Sequence, residues 1–219
     1  MKKYFDVLKF VLLFKGIEEN ELSSLLQCLS AKIATFNSGE TIFKEGDSAK
    51  FVGIVLSGEV QIVKDDFYGN RNIVASADQG HLFAESFACA DVNVLPINVI
   101  AKEDCEIMLI DYNRIITTCP NSCLFHSKLI FNMMKILATK NVALNQKIEL
   151  ASKRTTREKL ITYLSTEAKK AGNNSFTIPF NRQELADFLF VDRSAMSSEL
   201  CKLRDEEIIE FSKNKFKLL

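Results

Sequence analysis

The 219-residue sequence predicts an α+β fold in three parts. These are an N-terminal β-barrel of the double-stranded β-helix (jelly-roll) type, a long helix and a C-terminal winged helix-turn-helix. Three observations predict this fold. Short apolar runs separated by glycines fill much of the first half, a long stretch without glycine or proline follows, and two capped helix starts and a strand pair end the chain. The predicted domain boundaries are 1–115, 116–149 and 150–219.

The first part begins with short helices and continues with strands. Four leucines at helical spacing predict one buried face after the polar segment 16–21: Leu22, Leu25, Leu26 and Leu29. Between Ala31 and Asp111 the pattern changes to short β-type runs, at 53–56, 59–63 and 98–101. Several short strands between glycines are typical of a barrel or a sandwich.

A long helix follows Pro120, because neither proline nor glycine recurs before Gly172. Three apolar residues in it recur every seven positions and a fourth lies three positions after the first, which predicts the seam Ile130, Met133, Leu137 and Leu144. Such a seam can pack on its own domain or meet the same helix of a second copy. Lys140 and Lys147 recur at another heptad position, which indicates a partly exposed stretch and favours a homodimer.

Two helix starts mark the C-terminal part. Asn181 is followed three residues later by Glu184, the spacing of a capping box, and Asp192 caps a second start. In the second helix, Met196, Leu200 and Leu203 are predicted to point inward. Its outer face is small and polar, which suits the major groove of DNA, where an arginine can bond guanine through two hydrogen bonds.

Beyond the second helix, segments 208–211 and 215–218 flank a turn at 212–214, which predicts a wing with lysines at its tip. Side chains of the helix starts, the outer helix face and the wing form the predicted DNA-binding set: Arg182, Gln183, Arg193, Ser194, Ser197, Ser198, Lys202, Lys213 and Lys215. An ordinary solvated surface is the alternative interpretation of these residues.

Charge and cysteine content agree with this division. Residues 1–150 carry 15 basic and 18 acidic side chains, a net charge of −3, whereas residues 151–219 carry 13 and 10, a net charge of +3. This asymmetry suits a DNA-facing C-terminal part. The six cysteines are scattered and predict reduced thiols: Cys28, Cys89, Cys105, Cys119, Cys123 and Cys201. Cys119 and Cys123 are a weak metal or redox signal, with packing as the alternative.

Several classes of protein are excluded by what the sequence lacks. It has no run of eighteen apolar residues and no leader with a small-residue cleavage site, so we expect a cytoplasmic protein without membrane contact. It has no phosphate-binding glycine loop, no HExxH, no GxSxG and no metal-spaced histidines, and Glu85 is a lone carboxylate. We therefore expect neither an enzyme nor a bound cofactor or metal.

Taken together, these features resemble the CRP/FNR family of bacterial transcription regulators. The resemblance rests on the glycine-punctuated barrel (Gly39-Glu40, Glu45-Gly46-Asp47, Ser57-Gly58-Glu59-Val60), the long helix, Arg182-Gln183-Glu184-Leu185-Ala186 and Arg193-Ser194. It covers essentially the whole chain.

The resemblance implies a homodimer that binds a two-fold symmetric site on double-stranded DNA and works with RNA polymerase. Arg182 resembles the family's phosphate-contacting residue and Arg193 its guanine-reading arginine. Ser194 and Ser198 stand where the family has charged base-reading residues, so we expect a partly different half-site.

The barrel departs from the members that bind cyclic nucleotides. Those have a Gly-Glu pair and, ten residues after the glutamate, an Arg-Ser pair; here Ala84-Glu85 and Leu95-Pro96 take these places. A buried phosphate without a cation is badly paired. We expect an apolar or aromatic effector in a pocket of seven residues: Phe83, Ala84, Glu85, Leu95, Pro96, Val142 and Ala143.

Other mechanisms within the same fold stay open. The protein can respond through its thiols, act without an effector, or be a binding module without DNA activity. An iron–sulfur cluster is disfavoured because only Cys28 precedes residue 89. Haem would require His81 or His126 as axial ligand, since the sequence has no other histidine.

Overall fold

The structure of the protein is a computed structural model that describes residues 2–68, 71–117 and 124–219. These residues divide into two compact units, Met1–Thr139 and Lys140–Leu219. Each unit has its own hydrophobic core, and each is described by itself.

The N-terminal unit opens with short helical segments. Two 3-10 turns (Lys2–Tyr4 and Leu12–Phe14) alternate with two helices, α1 (Phe5–Leu8) and α2 (Glu19–Cys28). Glu18 and Glu21 form a capping box at the start of α2. The four leucines predicted to share a face on and just after α2 are all buried. The helical start of the chain is therefore confirmed.

Eight strands follow, and they form two four-stranded antiparallel sheets. The strands are β1 (Lys32–Phe36), β2 (Thr41–Phe43), β3 (Phe51–Ser57), β4 (Val60–Asp65), β5 (Arg71–Ala77), β6 (Leu82–Phe83), β7 (Asn98–Ala101) and β8 (Cys105–Asp111). Their orders are β1-β8-β3-β6 and β2-β7-β4-β5. This is the strand order of a jelly roll, so the predicted fold class is confirmed.

Alternation along β3 shows how the barrel separates two cores. Val52, Ile54 and Leu56 pack against the N-terminal helices. Val55 points to the opposite face and packs in the barrel interior with side chains of both sheets. The helices α3 (Glu85–Cys89) and α4 (Tyr112–Ile116) flank this part of the chain. The barrel interior is therefore a side-chain-filled core between two sheets.

A long helix, α5 (Leu124–Ser152), carries the chain from the first unit into the second, since the division falls between Thr139 and Lys140. It ends before α6 (Thr156–Ala171), which begins with a capping box of Thr155 and Glu158 and ends at Gly172 in the left-handed conformation. The predicted end of the long helix at 149 lies three residues before the end of α5 at Ser152, and the start of a separate helix at Thr156 was not predicted. The Thr155–Glu158 spacing is the signal that predicts the break.

The remaining elements form a winged helix-turn-helix. They are β9 (Ser175–Thr177), α7 (Arg182–Leu189), α8 (Arg193–Asp205), β10 (Ile209–Ser212) and β11 (Lys215–Leu218). The predicted β10–β11 hairpin is confirmed, and β9, which the pattern did not predict, pairs with β11 as a third strand. The predicted inward residues of α8 are buried.

Candidate nucleic-acid interface and effector site

The start of α7 holds two of the predicted DNA-binding residues. The Asn181 side chain accepts hydrogen bonds from the backbone N–H groups of Gln183 and Glu184, at 2.9 and 3.0 Å. Glu184 in turn accepts from the backbone N–H of Asn181 at 2.7 Å. This capping box leaves Arg182 and Gln183 in the first turn, where Gln183 is exposed and donates to the carboxylate of Asp187 at 2.9 Å.

The start of α8 is built around one carboxylate. Asp192 accepts from the backbone N–H of Ala195 at 2.9 Å and from the Ser194 hydroxyl at 2.5 Å. Both hydrogen bonds hold the pKa of Asp192 below its usual range, and the bond from the Ser194 hydroxyl contributes most to this shift. Ser194, predicted to contact DNA, is thus also part of the helix cap.

The rest of α8 presents its predicted contact residues on the side away from the core. Arg193, Ser194, Ser198 and Lys202 are exposed, and Ser197 is half-buried. Lys202 lies 3.4 Å from the Glu199 carboxylate. The exposed face therefore combines one arginine, small hydroxyl side chains and a lysine, which are the donors and acceptors that read base edges and phosphates.

Two contacts that the sequence did not indicate hold α8 against α6. Arg157 donates to Glu199 of α8 at 3.3 Å and forms a bidentate pair with Glu206, the residue that follows α8. The bond to Arg157 holds the pKa of Glu206 below its usual range. Lys159, which is buried, donates from Nζ to the carbonyl of Phe190 at 3.1 Å, in the turn between α7 and α8. Arg157 and Lys159 thus connect α6 to α8 and to the turn that precedes it.

The wing brings aromatic rings to Arg182. The guanidinium carbon of Arg182 lies 5.0 Å from the ring centre of Phe211 and 5.2 Å from that of Phe216. Burial against these rings lowers the pKa of Arg182, which remains charged near neutral pH. Lys213, at the turn of the hairpin with a φ of 53°, and Lys215 are exposed.

A groove of about 470 Å³ joins the start of α7 to the wing turn. Its lining residues are Pro179, Phe180, Asn181, Arg182, Glu184, Lys213 and Asn214. Two cations, Arg182 and Lys213, thus border a concave surface at a helix N-terminus, where backbone N–H groups also favour anions. Such a surface is suited to a DNA phosphate.

The predicted effector residues have a different environment. Phe83, Ala84, Glu85 and Leu95 are buried, and Pro96 is exposed. The far end of the Phe83 ring lies against Gly53, where a Cβ would be only 2.1 Å from the Phe83 Cζ. The centre of the Phe83 ring lies 5.8 Å from that of Phe43. Phe83 therefore fills the space between the two sheets.

The other predicted pocket residues lie at two places. Glu85 begins α3, accepts a hydrogen bond from the Ser86 hydroxyl at 3.2 Å and is 1% exposed. Val142 and Ala143 lie on the part of α5 that belongs to the C-terminal unit, and both are exposed there. Their part in a common pocket stays a prediction.

The predicted seam of α5 divides between two faces. Met133 is 3% exposed and packs in the N-terminal core, whereas the adjacent Met134 is 64% exposed. Ile130 and Leu137 are half-buried, and Leu144 is 56% exposed. Met133 therefore differs from the predicted seam, because the +3 step from Ile130 leads toward the protein's own core and the +4 step leads to the surface.

Cysteine, histidine and membrane features add little. Cys119 and Cys123 lie outside the described residues. His81 is exposed beside Asp78, and His126 is buried. In the described ranges no group of three or more histidine, cysteine or acidic side chains could hold a metal ion. No helix within those ranges is long and apolar enough to span a membrane.

Two family models match this chain. Residues 33–121 match the cyclic nucleotide-binding domain, and residues 158–219 match the Crp-like helix-turn-helix domain. The cyclic AMP receptor protein of Thermus thermophilus is 23% identical over 200 residues, 90% of this chain and 87% of that protein. The human cGMP-dependent protein kinase 2 is 25% identical over 112 residues, 50% of this chain, but the match spans only 14% of the kinase's length.

A solved structure agrees in fold. The catabolite activator protein of Thermus thermophilus has a TM-score of 0.55 at 20% identity, over 95% of this chain and 93% of its own. The two domain matches occur in the same order as the jelly-roll unit and the winged helix-turn-helix. The chain therefore belongs to the CRP/FNR family of transcription regulators.

Proposed function

We propose that the protein is a homodimeric transcription regulator that binds a two-fold symmetric DNA site through α8 and the wing. The observation that carries this proposal is the exposed face of α8, on which Arg193, Ser198 and Lys202 lie beside a helix cap. Two-fold symmetric regulators of this type place their recognition helices about 34–36 Å apart in successive major grooves. RNA polymerase is the proposed protein partner.

The functional division we propose is a sensing barrel (1–115), a dimerisation helix (116–149) and a DNA-binding domain (150–219). The +3 net charge of residues 151–219 supports the last assignment. Phosphate contacts supply affinity without sequence preference, so the proposed roles of Arg182, Gln183, Lys213 and Lys215 are to position the protein on DNA. The proposed roles of Arg193, Ser194, Ser197 and Ser198 are to read bases.

The DNA-binding proposal is tested by selection from a random DNA library, followed by affinity measurement on the enriched site. We expect a palindrome whose half-site differs partly from the family's best-known one. Arg193→Ala should weaken specific binding by about 10- to 100-fold, the contribution of one bidentate arginine–guanine contact. Arg114→Ala, an exposed arginine of the other unit, is the matched control and should leave affinity unchanged. Equal affinity of the two variants would refute base reading by Arg193.

We propose further that the effector is apolar or aromatic and is not a cyclic nucleotide. Leu95 stands where the phosphate-binding arginine would be, and it is buried among apolar side chains with Phe83. A ligand that binds only the folded protein raises its melting temperature, so cyclic AMP and cyclic GMP at millimolar concentration should leave the melting temperature unchanged. A rise with either nucleotide would overturn this part of the proposal.

The homodimer is proposed to form along α5, where apolar side chains such as Leu144 and Ile148 are exposed. Leu144→Asp should shift the protein to monomers in sedimentation velocity, since it places a charge in the interface. Thr139→Asp changes an exposed residue on the opposite side of the helix and should leave the dimer intact. Equal sedimentation of the two variants would show that the dimer, if any, forms elsewhere.

A further inference from the structure

A small cleft in the C-terminal unit lies outside the candidate DNA-binding surface. It is lined by residues between 146 and 150 of α5, by residues between 162 and 170 of α6 and by Phe188 of α7. All of these belong to the unit Lys140–Leu219. None of them is among the predicted DNA-binding or effector residues. We call this site the α6 cleft.

The buried part of the α6 cleft is apolar and aromatic. Leu150 is buried, and the ring centre of Tyr163 lies 5.4 Å from that of the half-buried Phe188. Phe180 packs behind them, with its ring centre 4.9 Å from that of Phe188. Aromatic faces attract cations as well as apolar groups. These side chains therefore suit a carbon chain, or a cationic group with an apolar stem.

Tyr163 brings an unused hydroxyl group to the cleft. The residue is only 5% exposed, and its hydroxyl makes no hydrogen bond to any residue that the structure describes. Burial above all, and the neighbouring Glu167 carboxylate, raise the pKa of Tyr163, so the phenol is neutral near pH 7. Tyrosine hydroxyl groups usually have a hydrogen-bond partner when the side chain is buried. A polar group of a ligand in the cleft would supply that partner.

The other polar groups of the cleft are mainly acceptors. Glu167 pairs with Lys170 at 2.8 Å, whereas Glu149 is exposed and has no ion-pair partner within the described part of the chain. Two carboxylates and one ammonium leave the lining with one net negative charge. The Thr166 hydroxyl donates to the carbonyl of Thr162 at 2.8 Å, so its oxygen is left as an acceptor. The cleft thus favours a ligand that carries positive charge and donates hydrogen bonds.

The size of the cleft limits what it can hold. Its volume is about 40 Å³, a few times the roughly 10–15 Å³ that a single water needs. A nucleotide or any ligand with several rings does not fit into that space. An ammonium group on a short carbon chain does, and it has three N–H donors and no acceptor.

We propose that the α6 cleft binds a short alkylammonium ion. Its ammonium group donates to the Glu149 carboxylate and to the Tyr163 hydroxyl oxygen, and its carbon chain lies against Leu150 and Phe188. Such an ion connects α5, α6 and α7, so its binding stabilises their arrangement within the C-terminal unit. The inference goes beyond the proposed function, because it gives the DNA-binding unit a ligand site of its own, apart from the barrel.

Fluorine NMR of the full chain, labelled with 3-fluorotyrosine, tests this proposal directly. The chain has four tyrosines, so the spectrum has four resonances, and Tyr163→Phe identifies that of Tyr163 by its loss. The probes are butylammonium chloride, sodium butyrate and 1-butanol, which share a four-carbon chain and carry a positive, a negative or no charge. Sodium chloride keeps the ionic strength constant.

We expect only butylammonium to shift the Tyr163 resonance saturably, with a dissociation constant on the order of millimolar for a ligand with so few contacts. Glu149→Gln should weaken this binding at least about tenfold, because a hydrogen bond to a charged group is stronger than one to a neutral group. Glu207→Gln changes an exposed glutamate of the same unit outside the cleft, and it should leave the dissociation constant unchanged.

Three results would overturn the inference. One is the absence of a saturable shift with butylammonium. Another is an equal response to butyrate or 1-butanol, since the cleft would then not select positive charge. The third is a Glu149→Gln variant with the dissociation constant of the unsubstituted protein. Unchanged positions of the other three tyrosine resonances in each variant would show that the fold is intact, and none of these results bears on the proposed binding of DNA.

Discussion

The two units of the protein present their candidate residues in opposite ways. In the barrel, Phe83 and Leu95 are buried in the core, so removing either side chain would leave a cavity. In the winged helix-turn-helix, Arg193 is an exposed side chain at the start of α8, and Lys213 is exposed at the turn of the hairpin. A substitution at the first kind of residue changes the folded state itself. At the second kind it should change only the affinity for a partner.

The difference also separates what each site requires. A DNA-binding surface can be complete in the free protein, because its groups already face water. A ligand of the closed barrel has to displace side chains such as Phe83 before it binds, so part of its binding free energy is spent on that change. Binding at the exposed surface therefore requires no such displacement of side chains, whereas binding inside the barrel does.

The largest expected effect is that of Phe83→Ala. Removing a ring that packs on Gly53 and near Phe43 should lower the free energy of unfolding by about 3–5 kcal/mol, as measured by urea denaturation. Phe67→Ala is the matched control, because Phe67 is 97% exposed and its loss should change stability by less than about 0.5 kcal/mol. Similar costs for the two variants would mean that the barrel is not closed by Phe83.

Gly53→Ala should follow in size. The added methyl group would lie 2.1 Å from the Phe83 ring, so we expect a loss of about 1–3 kcal/mol from overpacking. A smaller side chain in the double variant Gly53→Ala/Phe83→Leu should recover part of this loss. Strictly additive costs in the double-mutant cycle would contradict direct contact between the two positions.

A wing substitution should have a smaller effect, and one confined to DNA binding. Lys213→Gln should leave urea stability unchanged and reduce the slope of log affinity against log salt concentration by about 1, as expected for one lost phosphate contact. Lys169→Gln, at the exposed end of α6, should leave that slope unchanged. An unaltered slope in Lys213→Gln would remove Lys213 from the interface.

The smallest expected effect concerns the capping box of α6. The backbone N–H of Thr155 donates a hydrogen bond to the Glu158 carboxylate. Among the contacts of Glu158, this bond contributes most to holding its pKa below the ordinary value. Because the folded-state pKa is the lower one, this contribution to stability is present above the unfolded pKa of about 4.3 and is lost as pH falls through the folded pKa. Glu158→Gln should flatten the loss of stability in acid. Thr166→Ala on the same helix should not, and identical acid profiles for all three proteins would contradict the prediction.

Much of the fold could be predicted from local pattern alone. The capping box of α7, the cap of α8 and the short β-type runs of the barrel are properties of residues a few positions apart, and all three occur in the structure. Seven of the nine predicted DNA-binding residues lie at exposed positions, whereas Arg182 and Ser197 are half-buried. On α8 this follows from the pattern, since a capped helix with three inward residues leaves its other side to solvent.

The sequence by itself determined the order of the parts, the caps of α7 and α8 and the family to which the chain belongs. Only the tertiary structure decided that Met133 is buried while Met134 is exposed, that β9 joins the wing, and that Phe83 fills the barrel against Gly53. These outcomes depend on residues far apart in the chain. A period of three to four residues predicts that a helix has an apolar side, but packing against distant strands and helices decides which of two adjacent residues that side includes.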